Sequence, residues 1–119
     1  MANTGEVVHY EIAASDVERA KRFWEGVFGW SFGDSMSPEF DYRMARISDE
    51  SGAALQPGEP GHPHVYLNVD DIDASIAKVR ELDGQADDKQ PVPTHGWFSA
   101  CKDSEGNAFY LWQGDSNAA

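Results

Sequence analysis

The sequence predicts an α+β protein built from two βαβββ modules, whose curved mixed sheets surround a cleft. Three observations carry that expectation. First, one stretch occurs twice: His9-Tyr10-Glu11-Ile12 to Asp16 and His64-Val65-Tyr66-Leu67 to Asp71 align at an offset of 55 residues, with His9 on His64, Ile12 on Leu67 and Gly29 on Gly84. A fixed repeat of this length marks a duplicated supersecondary unit. Second, in each copy a run of alternating polarity gives way to apolar residues at helical spacing. Third, Pro57-Gly58-Glu59-Pro60-Gly61-His62-Pro63 falls between the copies, where a joint between modules belongs. We therefore read residues 1–119 as one domain of two modules, the first over 6–57 and the second over 64–113.

Val7 to Ala14 reads as a strand, with Val8, Tyr10 and Ile12 alternating with His9, Glu11 and Ala13. Ser15 offers an N-cap, and Glu18 three residues on completes a capping-box pattern. Val17, Ala20, Phe23, Trp24, Val27 and Phe28 then give an amphipathic helix over residues 16–28, ended by Gly29. Trp30 to Ser35, Phe40 to Ile47 and Gly52 to Gln56 are the three following strands. His64 to Val69 opens the second module, Asp70 is the expected cap, and Ile72, Ile76, Val79 and Leu82 give the second helix its stripe up to Gly84. Gln85 to Lys89 is an edge strand and Gln90 to Gly96 a loop. Trp97 to Lys102 and Ala108 to Gln113 form a hairpin closed by Asp103-Ser104-Glu105-Gly106-Asn107.

Composition narrows the function classes. The formal charge of −12 disfavours nucleic acid and anionic membrane surfaces, since both attract basic patches. Cys101 is the only cysteine, so no intrachain disulfide forms, and no apolar run is long enough to span a bilayer. A cytoplasmic location is the expectation.

Alternation along the strands sorts side chains onto two faces. Val65, Leu67, Val69, Phe109 and Leu111 suit the helix side, as do Tyr10 and Ile12. The opposite faces then collect His9, Glu11, His64, Tyr66, Asn68, Tyr110 and Trp112. Aromatic walls with a few polar groups are the usual lining of small-molecule sites. We assign Tyr66, Asn68, Tyr110 and Trp112 to ligand binding. Cys101 has no signature of a nucleophile and reads as packing.

The pattern His9-x-x-Ile12-x-x-x-Asp16-Val17-x-x-Ala20-x-x-Phe23-Trp24, with Val27-Phe28-Gly29-Trp30, His64 to Asp71 and the Asp103 to Asn107 turn, resembles the vicinal oxygen chelate superfamily. That superfamily includes glyoxalase I, extradiol dioxygenases and bleomycin-resistance proteins. The resemblance implies a homodimer and places candidate metal ligands at His9, His64 and Tyr110. Two imidazoles suit a divalent ion, but a phenol with an ordinary pKa near ~10 is a poor third ligand. The strand at Ala54-Leu55-Gln56 carries no acid. Glu11, a candidate general base or third ligand, stands about 6–7 Å from His9 along the strand, which strains joint coordination. Two readings follow. One is a metal-free small-molecule binder of the bleomycin-resistance type. The alternative is a metal-dependent lyase, isomerase or dioxygenase with His9 and His64 as ligands and Glu11 as base. A plain dimerisation module is a third.

Overall fold

The computed structural model describes residues 2–119, which divide into two compact units. One unit is Val8–His64. The other is Val65–Ala119 together with the N-terminal residues up to Val7. Each is a helix on a mixed sheet, so the α+β class expected from the sequence is the class observed.

In the first unit, strand β1 (Val7–Ala14) leads into helix α1 (Val17–Phe28), and strands β2 (Arg43–Arg46) and β3 (Gly52–Pro57) follow. The sheet order is β2-β3-β1, with β3 parallel to β1 and antiparallel to β2. Ile12, Phe32, Ala45, Ala53 and Leu55 form its core, against which Tyr10, Val17, Ala20, Trp24 and Trp30 pack. The helix stripe is only partly buried. Phe23, Val27 and Phe28 remain more than half exposed, at 58%, 58% and 57%.

Four expectations fail in this unit for identifiable reasons. Asp16, not Ser15, caps α1, its carboxylate accepting from Arg19 N at 3.0 Å. Glu18 does not close a capping box; it pairs with Arg43. Trp30 to Ser35 forms no strand, and the strand expected from Phe40 shortens to Arg43–Arg46. Trp30 instead stacks on Trp24 at 5.3 Å, and the Phe32 amide donates to Glu25 Oε2 at 2.8 Å. The carboxylate thus takes one amide a ladder would have used, and only isolated backbone bonds remain, from Gly33 N to Met44 O and from Met36 N to Tyr42 O. Beyond them, Ser35 Oγ shares its one hydrogen between the carbonyls of Ser37 and Phe40 and accepts from Tyr42 N, which coils the segment into a loop.

In the second unit, β4 (His64–Asn68) is followed by α2 (Ile72–Glu81), β5 (Gln85–Ala86), β6 (Gln90–Val92), β7 (Gly96–Lys102) and β8 (Ala108–Gly114). The order is β4-β8-β7-β5, with β6 also on β7. β4 and β8 run parallel, β7 and β8 antiparallel. Val69, Ile72, Ile76, Cys101 and Leu111 form the core, with Val79, Trp97 and Phe109 against it. The N-terminal residues complete this unit: Gly5 N donates to Asn68 O at 2.8 Å and Asn68 N to Glu6 O at 2.9 Å.

The cap again falls one residue late, on Asp71 rather than Asp70, accepting from Ala74 N at 3.1 Å. Ile72 N, the next orphan donor, is taken by Gln113 Oε1 at 2.8 Å. The segment expected as a loop from Gln90 contains β6, because Gln90, Pro91 and Val92 register with Phe98, Trp97 and Gly96. Gly84 does not supply the left-handed residue after α2; Asp83 does, at φ 71°. Gly84 is required for space instead, since a Cβ there meets Lys102 O at 2.7 Å and Val79 Cγ1 at 2.8 Å.

Candidate functional site

In the first unit the sheet face away from α1 carries a hydrogen-bonded chain of three side chains. β1 alternates as its sequence dictates: Tyr10 and Ile12 pack into the core, so His9 and Glu11 share the other face. Two residues apart on a strand, they stand about 6–7 Å from each other along it. Tyr42, just before β2, spans the gap. Its hydroxyl lies 2.8 Å from His9 Nε2 and donates to Glu11 Oε2 at 2.9 Å. The His9 and Tyr42 rings are 6.4 Å apart at 30°, and Phe40 stacks on Tyr42 at 6.2 Å. Registration puts Gly52, Ala54 and Gln56 of β3 beside His9, Glu11 and Ala13, and Met44 of β2 beside Ala54. The β3 neighbour of Glu11 is therefore a fully buried alanine.

The electrostatics follow from this setting. Burial holds the His9 imidazole below its ordinary pKa, with the Glu11 charge opposing. Burial, then the Glu11 carboxylate and its hydrogen bond, push the Tyr42 phenol far above its ordinary value. The chain is thus a neutral imidazole, a firmly protonated phenol and a carboxylate acceptor.

In the second unit the face away from α2 is aromatic. Tyr66 and Tyr110, registered across β4 and β8, stack at 4.5 Å and 12°. Phe98 on β7 stands 6.4 Å from Tyr110. Trp112 registers with Phe98, and its ring crosses Gly96: a Cβ at Gly96 falls 2.6 Å from Trp112 Cζ2 and 2.3 Å from Gln113 O. All four rings are partly exposed. Asn68, assigned to ligand binding from its strand position, turns its amide to the Ala2 and Asn3 carbonyls at 3.1 and 3.4 Å. His64 opens β4 with its ring 5.9 Å from that of His62, edge to face.

A resident metal fits these residues poorly. His9 Nε2 is engaged by Tyr42, whose hydroxyl also holds Glu11 Oε2. Among the described residues no group of three or more His, Cys, Asp or Glu side chains is placed to hold an ion. Sequence reasoning overlooked Tyr42 and Phe98. Alternation could have found Phe98, since Gly96, Phe98 and Ala100 share one face of β7; Tyr42 lies outside any strand, in the loop that Ser35 ties, where alternation does not apply.

Residues 9–112 match the family described as the glyoxalase-like domain. The chain belongs to that family. It is 33% identical over 115 residues to a Mycobacterium bovis protein named "Putative glyoxylase CFP32", covering 87% of this chain and 43% of that one. It thus spans less than half the length of that relative. A "Glyoxylase-like domain-containing protein" of Didymella fabae is 30% identical over 124 residues, covering 87% of this chain and 89% of its own length. Solved structures show the same fold at low identity. A hypothetical protein from Bacillus halodurans superposes with a TM-score of 0.74 at 16% identity, over 98% of this chain and 99% of that one. The methylmalonyl-CoA epimerase of Mycobacterium tuberculosis superposes at 0.71 and 14%, over 97% and 93%. The vicinal oxygen chelate fold expected from the sequence is therefore the fold of this glyoxalase-like chain.

Proposed function

We propose that this glyoxalase-like chain binds a small organic molecule and does so without a complete metal triad. The observation that carries the reading is the aromatic face of the second unit, where stacked Tyr66 and Tyr110, with Phe98, present partly exposed rings. Such rings bind planar or amphipathic molecules by stacking and burial. Trp112 and Asn68 belong to this binding assignment, and His9, Glu11 and His64 are the polar groups assigned to orienting ligand. A Streptomyces coelicolor epimerase of the same fold is described in complex with 2-nitronate-propionyl-CoA, which makes acyl thioesters one sensible ligand class. The chain is further proposed to be a cytoplasmic homodimer.

A thermal-shift panel of aromatic acids and acyl-CoA thioesters tests the binding. A ligand at a hundred times its Kd stabilises by about 2.7 kcal/mol. The shift should vanish in Tyr110→Ala and persist in Ser104→Ala, on the exposed hairpin turn. A panel without a stabilising member overturns the reading. The alternative, a metal-dependent lyase, isomerase or dioxygenase using His9 and His64, would replace it if purified untagged protein carried stoichiometric metal that His9→Ala lost. Sedimentation showing monomer at all concentrations would remove the dimer.

A further inference from the structure

We infer that Tyr42 is a positioning residue for His9: held between His9 Nε2 and Glu11 Oε2, its hydroxyl fixes the imidazole as the Nε2–H tautomer and keeps that nitrogen from a metal ion. This rests on the proposed metal-free reading and gives it an atomic cause. The argument is a count of protons. A phenol has one hydrogen to donate, and Tyr42 spends it on the Glu11 carboxylate at 2.9 Å. What remains toward His9 is a lone pair, so the 2.8 Å contact closes only if Nε2 carries the hydrogen. A neutral ring protonated at Nε2 keeps its own lone pair on Nδ1, and a metal needs a lone pair on the nitrogen it binds.

The same unit explains why the arrangement is stable. Tyr42 is set by the Ser35 hydroxyl, which accepts from Tyr42 N at 3.2 Å, and by Phe40 stacked on its ring. Tyr42 O also accepts from Met36 N at 2.8 Å, so the loop that replaces the expected second strand is what aims the phenol. The outer partner of a histidine selects which ring nitrogen faces the chemistry. Here that partner takes Nε2 itself.

Long-range proton–nitrogen correlation spectra of histidine-labelled protein read the tautomer directly, with His9→Gln assigning one signal among the four histidines. The wild type should show His9 as Nε2–H. Tyr42→Phe should destroy that preference, giving a tautomer mixture. Glu11→Ala should do the same by releasing the phenol hydrogen toward Nε2, and reads the idea independently if Tyr42→Phe fails to fold. Titration with Ni²⁺ should broaden the His9 signal at a lower metal concentration in Tyr42→Phe, where Nε2 is released, than in the wild type, with affinity at His9 raised by about tenfold. An Nδ1–H wild-type ring, an unchanged tautomer in the folded variants, or equal Ni²⁺ affinity at His9 in both would overturn the inference. Failure of every organic ligand to bind leaves these spectra unaffected, so the two proposals fail separately.

Discussion

Replacing Gly96 by alanine probes the link between backbone geometry and the aromatic face. The added Cβ has nowhere to go: Gln113 O lies 2.3 Å away, and two carbons of the Trp112 ring lie at 2.6 and 2.8 Å. The ring could swing, but the carbonyl belongs to the β7–β8 ladder, where Trp97 registers with Gln113. Overpacking of this kind costs about 1–3 kcal/mol, and a fixed backbone neighbour favours the upper part of that range. At about 2.1 cal/mol/K of unfolding entropy per residue, a chain of 119 residues loses ~4 °C per kcal/mol. Gly96→Ala should therefore lower Tm by roughly 8–12 °C. Circular dichroism melts measure this, and the double variant Gly96→Ala/Trp112→Phe apportions it. If the ring shares the strain, the double variant recovers more than ~0.5 kcal/mol relative to additivity. A Gly96→Ala protein melting within about 1 °C of wild type would refute the packing argument, because strain of this kind cannot be that small.

Stability should also depend on pH through the chain of three side chains. His9 has a lowered pKa when folded, so below its ordinary 6.5 the unfolded chain takes up a proton that the folded chain refuses, and stability falls as pH drops through that value. Tyr42 has a raised pKa, so above its ordinary 10.0 the unfolded phenol ionises first and stability falls as pH rises. Urea midpoints across pH should show a plateau bounded near these values, and the alkaline limb should flatten in Tyr42→Phe. An alkaline limb equally steep in that variant would assign it elsewhere. Leu55→Ala empties a fully buried core position and should cost about 2–5 kcal/mol by chemical denaturation, with a loss under ~1 kcal/mol contradicting the burial. Asp16→Ala should cost about 1 kcal/mol and Ser15→Ala under ~0.5, an order that would reverse if Ser15 were the cap.

Much of this architecture is legible in the residues. The duplication at offset 55 places both helices and the strands that open each copy, because strand and helix periods are local and the same pattern recurs. The caps slipped by one residue since Ser15 and Asp16, or Asp70 and Asp71, are equally good side chains; only backbone dihedrals of −139°, 98° and −140°, 98° choose between them. Trp30 to Ser35 has strand-like composition, yet Trp24 lies a turn and a half away on α1 and takes the indole. Such a tertiary preference leaves no trace in alternation. The site divides in the same way. His9, Glu11, Tyr66 and Tyr110 follow from parity along their strands, whereas Tyr42 enters through a loop tied by Ser35, whose hydrogen bonds no pattern encodes.

The ladder between residues 5–6 and Asn68 has a consequence for how the polypeptide can be divided. Cutting at the proline-rich joint would not release two self-sufficient pieces, because the later piece lacks the N-terminal residues that pair with Asn68 and occupy its amide. During synthesis those first residues emerge more than sixty positions before their partner, and they must wait, unpaired, until Asn68 leaves the ribosome. A cut between Glu6 and β1 would therefore weaken the second unit rather than the first.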